Sequence, residues 1–208
     1  LSDTSVFDLG CSGGGFVFGL APYVKKICGV DGDAEIIKNN IERSAVNANS
    51  SAIEFINETL SPEMSFLIKH DITIFLSVFH HMINGSNAYD WNNGSSLEYA
   101  LKTVKTIRAN TNVLVFEVGL PSEGYDWSFK LPFSNSDLHS WVEQNIFDES
   151  FEVESFVNPS LRGVVGSIKR QVLQHTSHGS RLASLVKRFL GWDVRDLRPI
   201  FIGRRKND

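Results

Sequence analysis

A glycine-rich stretch near the start of the chain combines residue types that suit a nucleoside-containing ligand. Residues 6–20 read VFDLGCSGGGFVFGL, in which Asp8 ends an apolar run and four glycines fall within residues 10–15. Glycine has no Cβ atom, so a ligand can approach such a backbone closely. Asp31 follows Gly10 by 21 positions, and an acid at that distance is placed to accept hydrogen bonds from the hydroxyls of a ribose. The stretch therefore predicts a site for a ligand that contains a ribose.

The acid in front of the glycines distinguishes between candidate ligands. The dinucleotide fingerprint G-x-G-x-x-G fits poorly, because Gly10, Ser12 and Gly15 give G-x-S-x-x-G. A pyrophosphate is anionic and would be repelled by Asp8, whereas the amino and sulfonium groups of S-adenosylmethionine are cationic and would be attracted. Asp8 therefore favours S-adenosylmethionine over a dinucleotide.

These residues need short buried strands, with helices between them, to bring them together. The apolar pattern predicts strands over residues 5–9, 26–31, 52–57, 71–79, 112–119, 151–157 and 198–205, and helices over 15–24, 33–47, 96–110 and 136–147. Asp33 and Ser136 are the expected helix N-caps. The alternation predicts a parallel sheet with helices on both faces, and the last two strands, which break the alternation, predict an antiparallel finish.

Three stretches resemble the motifs of the class I S-adenosylmethionine-dependent methyltransferases. DLGCSGG (8–14) is similar to their D-x-G-x-G-x-G motif with Ser12 at the second glycine, GVD (29–31) to their second motif, and DITIFLSVFHHM (71–82) to their fourth-strand region. The resemblance covers about residues 3–120 in element order. It implies an α/β fold, doubly wound and Rossmann-like, with a mostly parallel seven-stranded sheet and an antiparallel last strand.

The resemblance also implies S-adenosylmethionine as the cofactor and methyl transfer as the activity. Asp8, Gly10 and Gly14 would hold its methionine end and Asp31 its ribose, while Asn57, Glu58 or Thr59 would meet the adenine. The cofactor-binding residues expected on this basis are Asp8, Gly10, Cys11, Ser12, Gly14, Asp31, Gly32, Asn57, Glu58 and Ser77.

Two histidines are the candidate catalytic residues. His80 and His81 are expected at the carboxyl end of the fourth strand, where either imidazole could serve as a general base; the alternative is that they only cap the strand. A metal role is disfavoured, because adjacent residues of an extended chain point in opposite directions. Further residues expected to line the acceptor pocket are Glu117, Glu123, Tyr125 and Trp127.

The acceptor is less constrained by the sequence than the cofactor. The chain lacks the Asn/Asp-Pro-Pro-aromatic tetrapeptide of enzymes that methylate amino groups of nucleic acids, so we expect transfer to an oxygen of a small molecule or saccharide. Two other functions stay open. One is an NAD-dependent oxidoreductase, which Asp8 and the lack of a Tyr-x-x-x-Lys pair disfavour, and the other is a non-catalytic interaction module with the same fold.

Charge is distributed unevenly along the 208 residues. Residues 1–158 hold 9 Lys and Arg against 21 Asp and Glu, whereas residues 159–206 hold 11 Lys and Arg against 2 Asp. We expect a single domain over residues 1–208 with a basic helical insertion at about 158–197. This insertion favours an anionic or lipid-linked acceptor, while the acidic remainder disfavours nucleic acid.

The remaining composition points to a reducing compartment. No apolar run reaches 18 residues and no signal-peptide pattern precedes the first strand, so a cytoplasmic location is expected. Cys11 and Cys28 are expected as reduced thiols. Because the chain enters an apolar strand within a few residues of Leu1, we also expect a preceding segment in the full protein.

Overall fold

The computed structural model of the chain describes residues 2–84, 96–119, 131–134, 136–156 and 198–206. Its strands are β1 (Ser5–Leu9), β2 (Lys26–Asp31), β3 (Ile53–Asn57), β4 (His70–Leu76), β5 (Thr111–Glu117), β6 (Phe151–Phe156) and β7 (Ile200–Arg205). Its α-helices are α1 (Gly15–Leu20), α2 (Ala34–Ala45), α3 (Phe79–Asn84), α4 (Ser96–Asn110) and α5 (Leu138–Asn145).

The strands form one seven-stranded sheet in the order β3-β2-β1-β4-β5-β7-β6. The first five in this order are parallel, and β7 runs antiparallel to both β5 and β6. The predicted fold class, with its antiparallel finish, is therefore confirmed. The strand order reverses between β1 and β4, and ligands of open α/β sheets bind at the carboxyl edge of such a switch point.

Apolar side chains of the sheet pack against helices on both faces. Val6 of β1 belongs to the cluster that contains Val17 of α1 and Ile37 of α2. Phe7, the next residue of the strand, belongs to the larger cluster, which contains Val104 of α4. This alternation along a strand is what a sheet covered on both sides requires. It confirms the expectation of helices on both faces.

Helix α2 confirms its predicted cap, and it buries a polar side chain beside an apolar one. The Asp33 carboxylate accepts hydrogen bonds from the backbone N–H groups of Glu35 and Ile36, as an N-cap does. Ile37 of this helix is buried, whereas Ile41 is 49% exposed and Val46, just after the helix, is 88% exposed. The polar Asn40 is also buried, because its amide bonds to the backbone of a neighbouring loop.

Three further boundaries differ from the sequence prediction. Helix α1 ends at Leu20 and a 3₁₀ turn with Pro22 follows it, since proline cannot donate to the helical ladder. Helix α5 has Asp137, not Ser136, at its N-cap position, and no side chain caps it. Strand β4 ends at Leu76 rather than at residue 79, because Ser77 turns into the left-handed region with φ 58°.

The expected basic insertion at 158–197 lies outside the described residues, so its helical character stays a prediction. Among the helices of the described residues, none is long and apolar enough to span a bilayer.

Candidate functional site

Asp8 lies at the switch point of the sheet, in the middle strand of the parallel part. It pairs with Gly29 of β2 and Ile74 of β4, and it is only 4% exposed. Its Oδ2 atom is buried and has no hydrogen-bond partner among the described residues. Burial, followed by the nearby charge of Asp31, raises the pKa of Asp8 to about 7. A buried carboxylate oxygen of this kind calls for a partner, and a cationic group of a ligand is suited to be that partner.

The glycine loop after β1 needs its glycines for conformation and for space. Gly10 and Gly14 have φ values of 78° and 72°, which side chains rarely tolerate. A Cβ on Gly10 would also lie 2.3 Å from Cγ2 of Val78. A Cβ on Gly13, by contrast, would meet no described atom within 4 Å. The loop is therefore closely packed at Gly10 and open at Gly13.

Asp31 links the end of β2 to the glycine loop. Its Oδ2 accepts a hydrogen bond of 2.9 Å from the backbone N–H of Ser12, and its Oδ1 accepts one of 3.0 Å from that of Asp33. A carboxylate has about four acceptor sites, so both oxygens retain capacity for the hydroxyls of a ribose. Gly32, the next residue, is exposed and leaves this side of the acid open.

Asn57 and Glu58 lie beside Asp31 at the end of β3. The Asn57 side-chain amide donates to the backbone oxygen of Asp31 at 3.0 Å, and the backbone N–H of Glu58 donates to the same oxygen at 3.1 Å. Both side chains are exposed. The structure thus brings these two residues next to Asp31, and a contact with adenine stays a prediction.

Ser77, expected to bind the cofactor, has its hydroxyl in a partly buried network with Glu117 of β5 and with Arg198, which precedes β7. It donates to Oε2 of Glu117 at 2.7 Å and accepts from Nη1 of Arg198 at 3.0 Å. The same Arg198 nitrogen lies 3.0 Å from Oε1 of Glu117, whose side chain is 0% exposed. Arg198 was not among the site residues predicted from the sequence. Its one signal is its place two residues before the start of β7, whose Ile200 pairs with Glu117.

His80 and His81 lie in α3, not at the end of a strand. The expectation that they point in opposite directions on an extended chain is therefore wrong: their ring centroids are 4.3 Å apart. The two residues nevertheless differ in exposure. His80 is 2% exposed and its Nδ1 accepts a hydrogen bond of 3.4 Å from the backbone N–H of Gly119, whereas His81 is exposed.

Both imidazoles are held in the neutral form. Burial, followed by His81 and Arg198, lowers the pKa of His80 to about 3. Burial and then Arg198 lower the pKa of His81 as well. A neutral imidazole can accept a proton at neutral pH, and the exposed His81 is the one of the pair that solvent and a ligand can reach.

The two cysteines are free and buried. Burial raises the pKa of the Cys28 thiol to about 12 and raises that of Cys11 still further, so neither is a nucleophile at neutral pH. Cys11 contributes to the loop through its backbone, whose N–H donates to the oxygen of Val30 at 3.0 Å. Glu123, Tyr125 and Trp127, expected around the acceptor, lie outside the described residues.

No protein-family profile and no curated protein sequence matches this chain. Solved structures do match it. A crystal structure of WbdD superposes with a TM-score of 0.63 at 17% identity over 97% of this chain, which spans only 35% of the WbdD chain. The N-methyltransferase NodS from Bradyrhizobium japonicum WM9, in complex with S-adenosyl-L-homocysteine, gives a TM-score of 0.57 at 11% identity and covers 99% of this chain and 79% of its own.

A third structure has a different activity in its name. The [4+2]-cyclase SpnF matches with a TM-score of 0.60 at 12% identity, over the full length of this chain and 77% of its own. Identities this low carry the fold and not the reaction. With the strand order β3-β2-β1-β4-β5-β7-β6 and an antiparallel β7, this chain has a Rossmann-like α/β fold, the fold of the methyltransferase structures that it matches.

Proposed function

We propose that this chain is an S-adenosylmethionine-dependent methyltransferase that methylates an oxygen of a small molecule or saccharide. The observation that carries the proposal is the Oδ2 atom of Asp8, which is buried at the switch point without a partner among the described residues. An anionic pyrophosphate would face this acid unfavourably. A cationic amino or sulfonium group would compensate for its burial.

The residues around Asp8 fit the remaining parts of such a cofactor. The open side of Gly13 leaves room for its methionine end, and the oxygens of Asp31 have acceptor capacity for its ribose. Gly32 lies next to that acid, and Asn57 and Glu58 lie beside it, where they would meet the adenine. When bound, S-adenosylmethionine would supply a methyl group attached to a positively charged sulfur.

The acceptor is proposed from the chemistry of the two histidines. Methyl transfer depends mainly on positioning, but a hydroxyl acceptor also gains from a base that removes its proton. Of the two candidates, His81 is exposed and neutral, so we assign it the role of base. His80 is buried and bonded to the backbone of Gly119, and its place is to support the turn that carries His81.

One other function has a specific observation in its favour. SpnF, which has the same fold, is a [4+2]-cyclase, so a chain of this fold need not transfer a methyl group. A protein that binds the cofactor as a structural group would keep the site of Asp8 and Asp31 but would not depend on His81.

Calorimetric titration with S-adenosylmethionine, S-adenosylhomocysteine and NAD tests the cofactor. We expect micromolar binding of the first two and none of NAD. Asp31→Ala should raise both dissociation constants at least about tenfold, because hydrogen bonds to a charged group are lost. Asp33→Ala is the matched control: it removes the helix cap two residues away and should leave affinity unchanged. Binding of NAD alone would refute the proposal.

A further inference from the structure

Ser12 holds a backbone conformation that its residue type disfavours. Its φ is 44°, in the left-handed region, where the Cβ of a non-glycine residue is crowded. It stands at the position that the methyltransferase motif fills with glycine. Something outside the loop must therefore stabilise this conformation, because such strain persists only where the surroundings determine it.

Asn40 of α2 provides one of the contacts. It is only 1% exposed, although its side chain is polar and lies in the middle of the helix. The amide nitrogen donates to the backbone oxygen of Ser12 at 2.7 Å. The amide oxygen accepts from Nη1 of Arg43 at 3.2 Å. Both ends of this buried amide are thus used, one of them on the strained residue itself.

Arg43, one helical turn further along α2, provides the second contact. Its Nη1 donates to the backbone oxygen of Gly13 at 2.8 Å. Its guanidinium carbon lies 4.4 Å from the ring centroid of Phe18, and the same ring borders Gly14, where an added Cβ would lie 2.9 Å from it. The stacking fixes the direction of the guanidinium, so its hydrogen bond reaches the loop from a defined position.

The loop is held from the opposite side by Asp31. The backbone N–H of Ser12 donates to its carboxylate, while the backbone oxygen of the same residue accepts from Asn40. Ser12 is therefore bonded through both its N–H and its C=O to side chains of β2 and α2. Because the N–H and the C=O of one residue are both bonded, rotation of Ser12 out of the left-handed conformation would break at least one of these hydrogen bonds.

We propose that Asn40 and Arg43 are positioning residues of the cofactor site: together they hold residues 12–14 in the conformation that receives the methionine end of the cofactor, and they compensate for serine in place of glycine. The inference rests on the proposed function for its ligand. Neither residue belongs to the loop motif, and neither needs to touch the cofactor.

The test combines cofactor affinity with hydrogen exchange of the ligand-free protein. Arg43→Met keeps an unbranched apolar stem against Phe18 and removes the donor, and because Arg43 is exposed the variant should fold. We expect its dissociation constant for S-adenosylhomocysteine to rise about fivefold to tenfold, the worth of roughly one hydrogen bond. The amide protons of Ser12 and Gly14 should exchange faster by a similar factor.

Matched controls come from the same helix. Lys38→Met makes the same kind of change at an exposed cation that has no loop contact, and it should alter neither affinity nor exchange. Asn40→Asp places a carboxylate against the Ser12 oxygen and should weaken binding more than Arg43→Met does. Asn39→Asp, the same substitution at the exposed neighbour, is its control.

A second background separates positioning from general support of α2. In Ser12→Gly the left-handed conformation is no longer strained. In that background, Arg43→Met should therefore raise the dissociation constant for S-adenosylhomocysteine less than about twofold. An equal loss of affinity in the wild-type and Ser12→Gly backgrounds would refute the inference that Arg43 compensates for serine at position 12. Unchanged affinity and exchange in Arg43→Met would overturn the whole inference. If the wild-type protein does not bind S-adenosylhomocysteine, the proposed function fails, and the amide exchange alone still decides whether the two side chains hold the loop.

Discussion

Single residues at the carboxyl edge have their charge states set by burial. Asp8 is an acid within an apolar strand, and the buried His80 is a base in the first turn of α3. Desolvation disfavours the charged form in both cases, so the pKa of the acid is raised and that of the base is lowered. The sequence indicated which residues would be at this edge, but it could not indicate how deeply each would be buried.

Asp8→Asn should remove a pH dependence of stability. The pKa of Asp8 rises from 3.8 in the unfolded chain to about 7 in the folded protein, so its contribution is present at low pH and is lost as pH rises from about 4 to 7. Relative to the variant, the wild-type protein should lose at most about 4 kcal/mol of unfolding free energy over that range. Urea denaturation of the ligand-free protein at pH 4.5, 6 and 8 measures this difference.

The control for Asp8→Asn is Asp3→Asn, which changes an exposed acid just before the same strand, β1. It should reproduce the wild-type pH profile. If Asp8→Asn also follows the wild-type profile, ionisation of Asp8 does not lower the free energy of unfolding. Its burial would then be no argument for a cationic ligand.

His81→Gln should lower the rate of methyl transfer to a hydroxyl acceptor about 100-fold, because a general base contributes this much or more. Its affinity for S-adenosylhomocysteine should not change. Since the pKa of His81 lies below its ordinary value of 6.5, the wild-type rate should be constant above that pH and should fall below it as the imidazole becomes protonated. Incorporation of labelled methyl groups measures both. His139→Gln, a histidine of α5 bonded to Ser155, is the control and should retain the wild-type rate.

Secondary-structure elements were predicted well where a pattern is local. Helix α4 begins and ends at the predicted residues, and the predicted bounds of β1 and β2 agree with the structure. The predicted end of β4 at residue 79 was wrong. The apolar run continues beyond Leu76, whereas the backbone turns at Ser77. That turn is stabilised by Glu117, 40 positions away in the chain, and no local pattern contains this information.

The pair of Glu117 and Arg198 should be essential to the join between β5 and β7. Arg198→Met would leave a carboxylate with 0% exposure without its main partner, and we expect a loss of about 3–5 kcal/mol of unfolding free energy. The double variant Glu117→Leu/Arg198→Met should lose less than either single variant, because no unpaired charge remains. Chemical denaturation of the wild-type protein, the two single variants and the double variant gives the double-mutant cycle.

An exposed ion pair of the same sheet provides the comparison. Lys26 and Glu54 lie 2.6 Å apart but are 60% and 46% exposed, so Glu54→Gln should cost no more than about 1 kcal/mol. If Arg198→Met also lost no more than about 1 kcal/mol of unfolding free energy, the network of Glu117 and Arg198 would not stabilise the end of the sheet.

At the scale of the whole molecule, charge is segregated along the chain. The acidic residues 1–158 include the site at the switch point, and the basic residues 159–206 include Arg198, which reaches that edge. This chain spans 35% of the WbdD chain that it matches.

Charge reversal in the basic segment should separate acceptor use from cofactor binding. Lys187→Glu/Arg188→Glu, which lies outside the described residues, is expected to weaken use of an anionic acceptor and to leave the affinity for S-adenosylhomocysteine unchanged. Higher salt should weaken acceptor use by the wild-type protein in the same sense. Equal losses of acceptor use and cofactor affinity in the variant would show that this segment supports the fold instead.

The sequence by itself determined the class of fold and the position of the glycine loop. Alternating apolar runs specify strands and helices locally, and the spacing of Asp8, the glycines and Asp31 specifies one edge of the sheet. Only the tertiary structure decided which side chains stabilise that edge. Asn40 and Arg43 reach the loop across 28 and 30 positions, and Arg198 reaches Glu117 across 81. Such contacts follow from how helices and strands pack in three dimensions, and polar residues carry no periodic signal that would reveal them in advance.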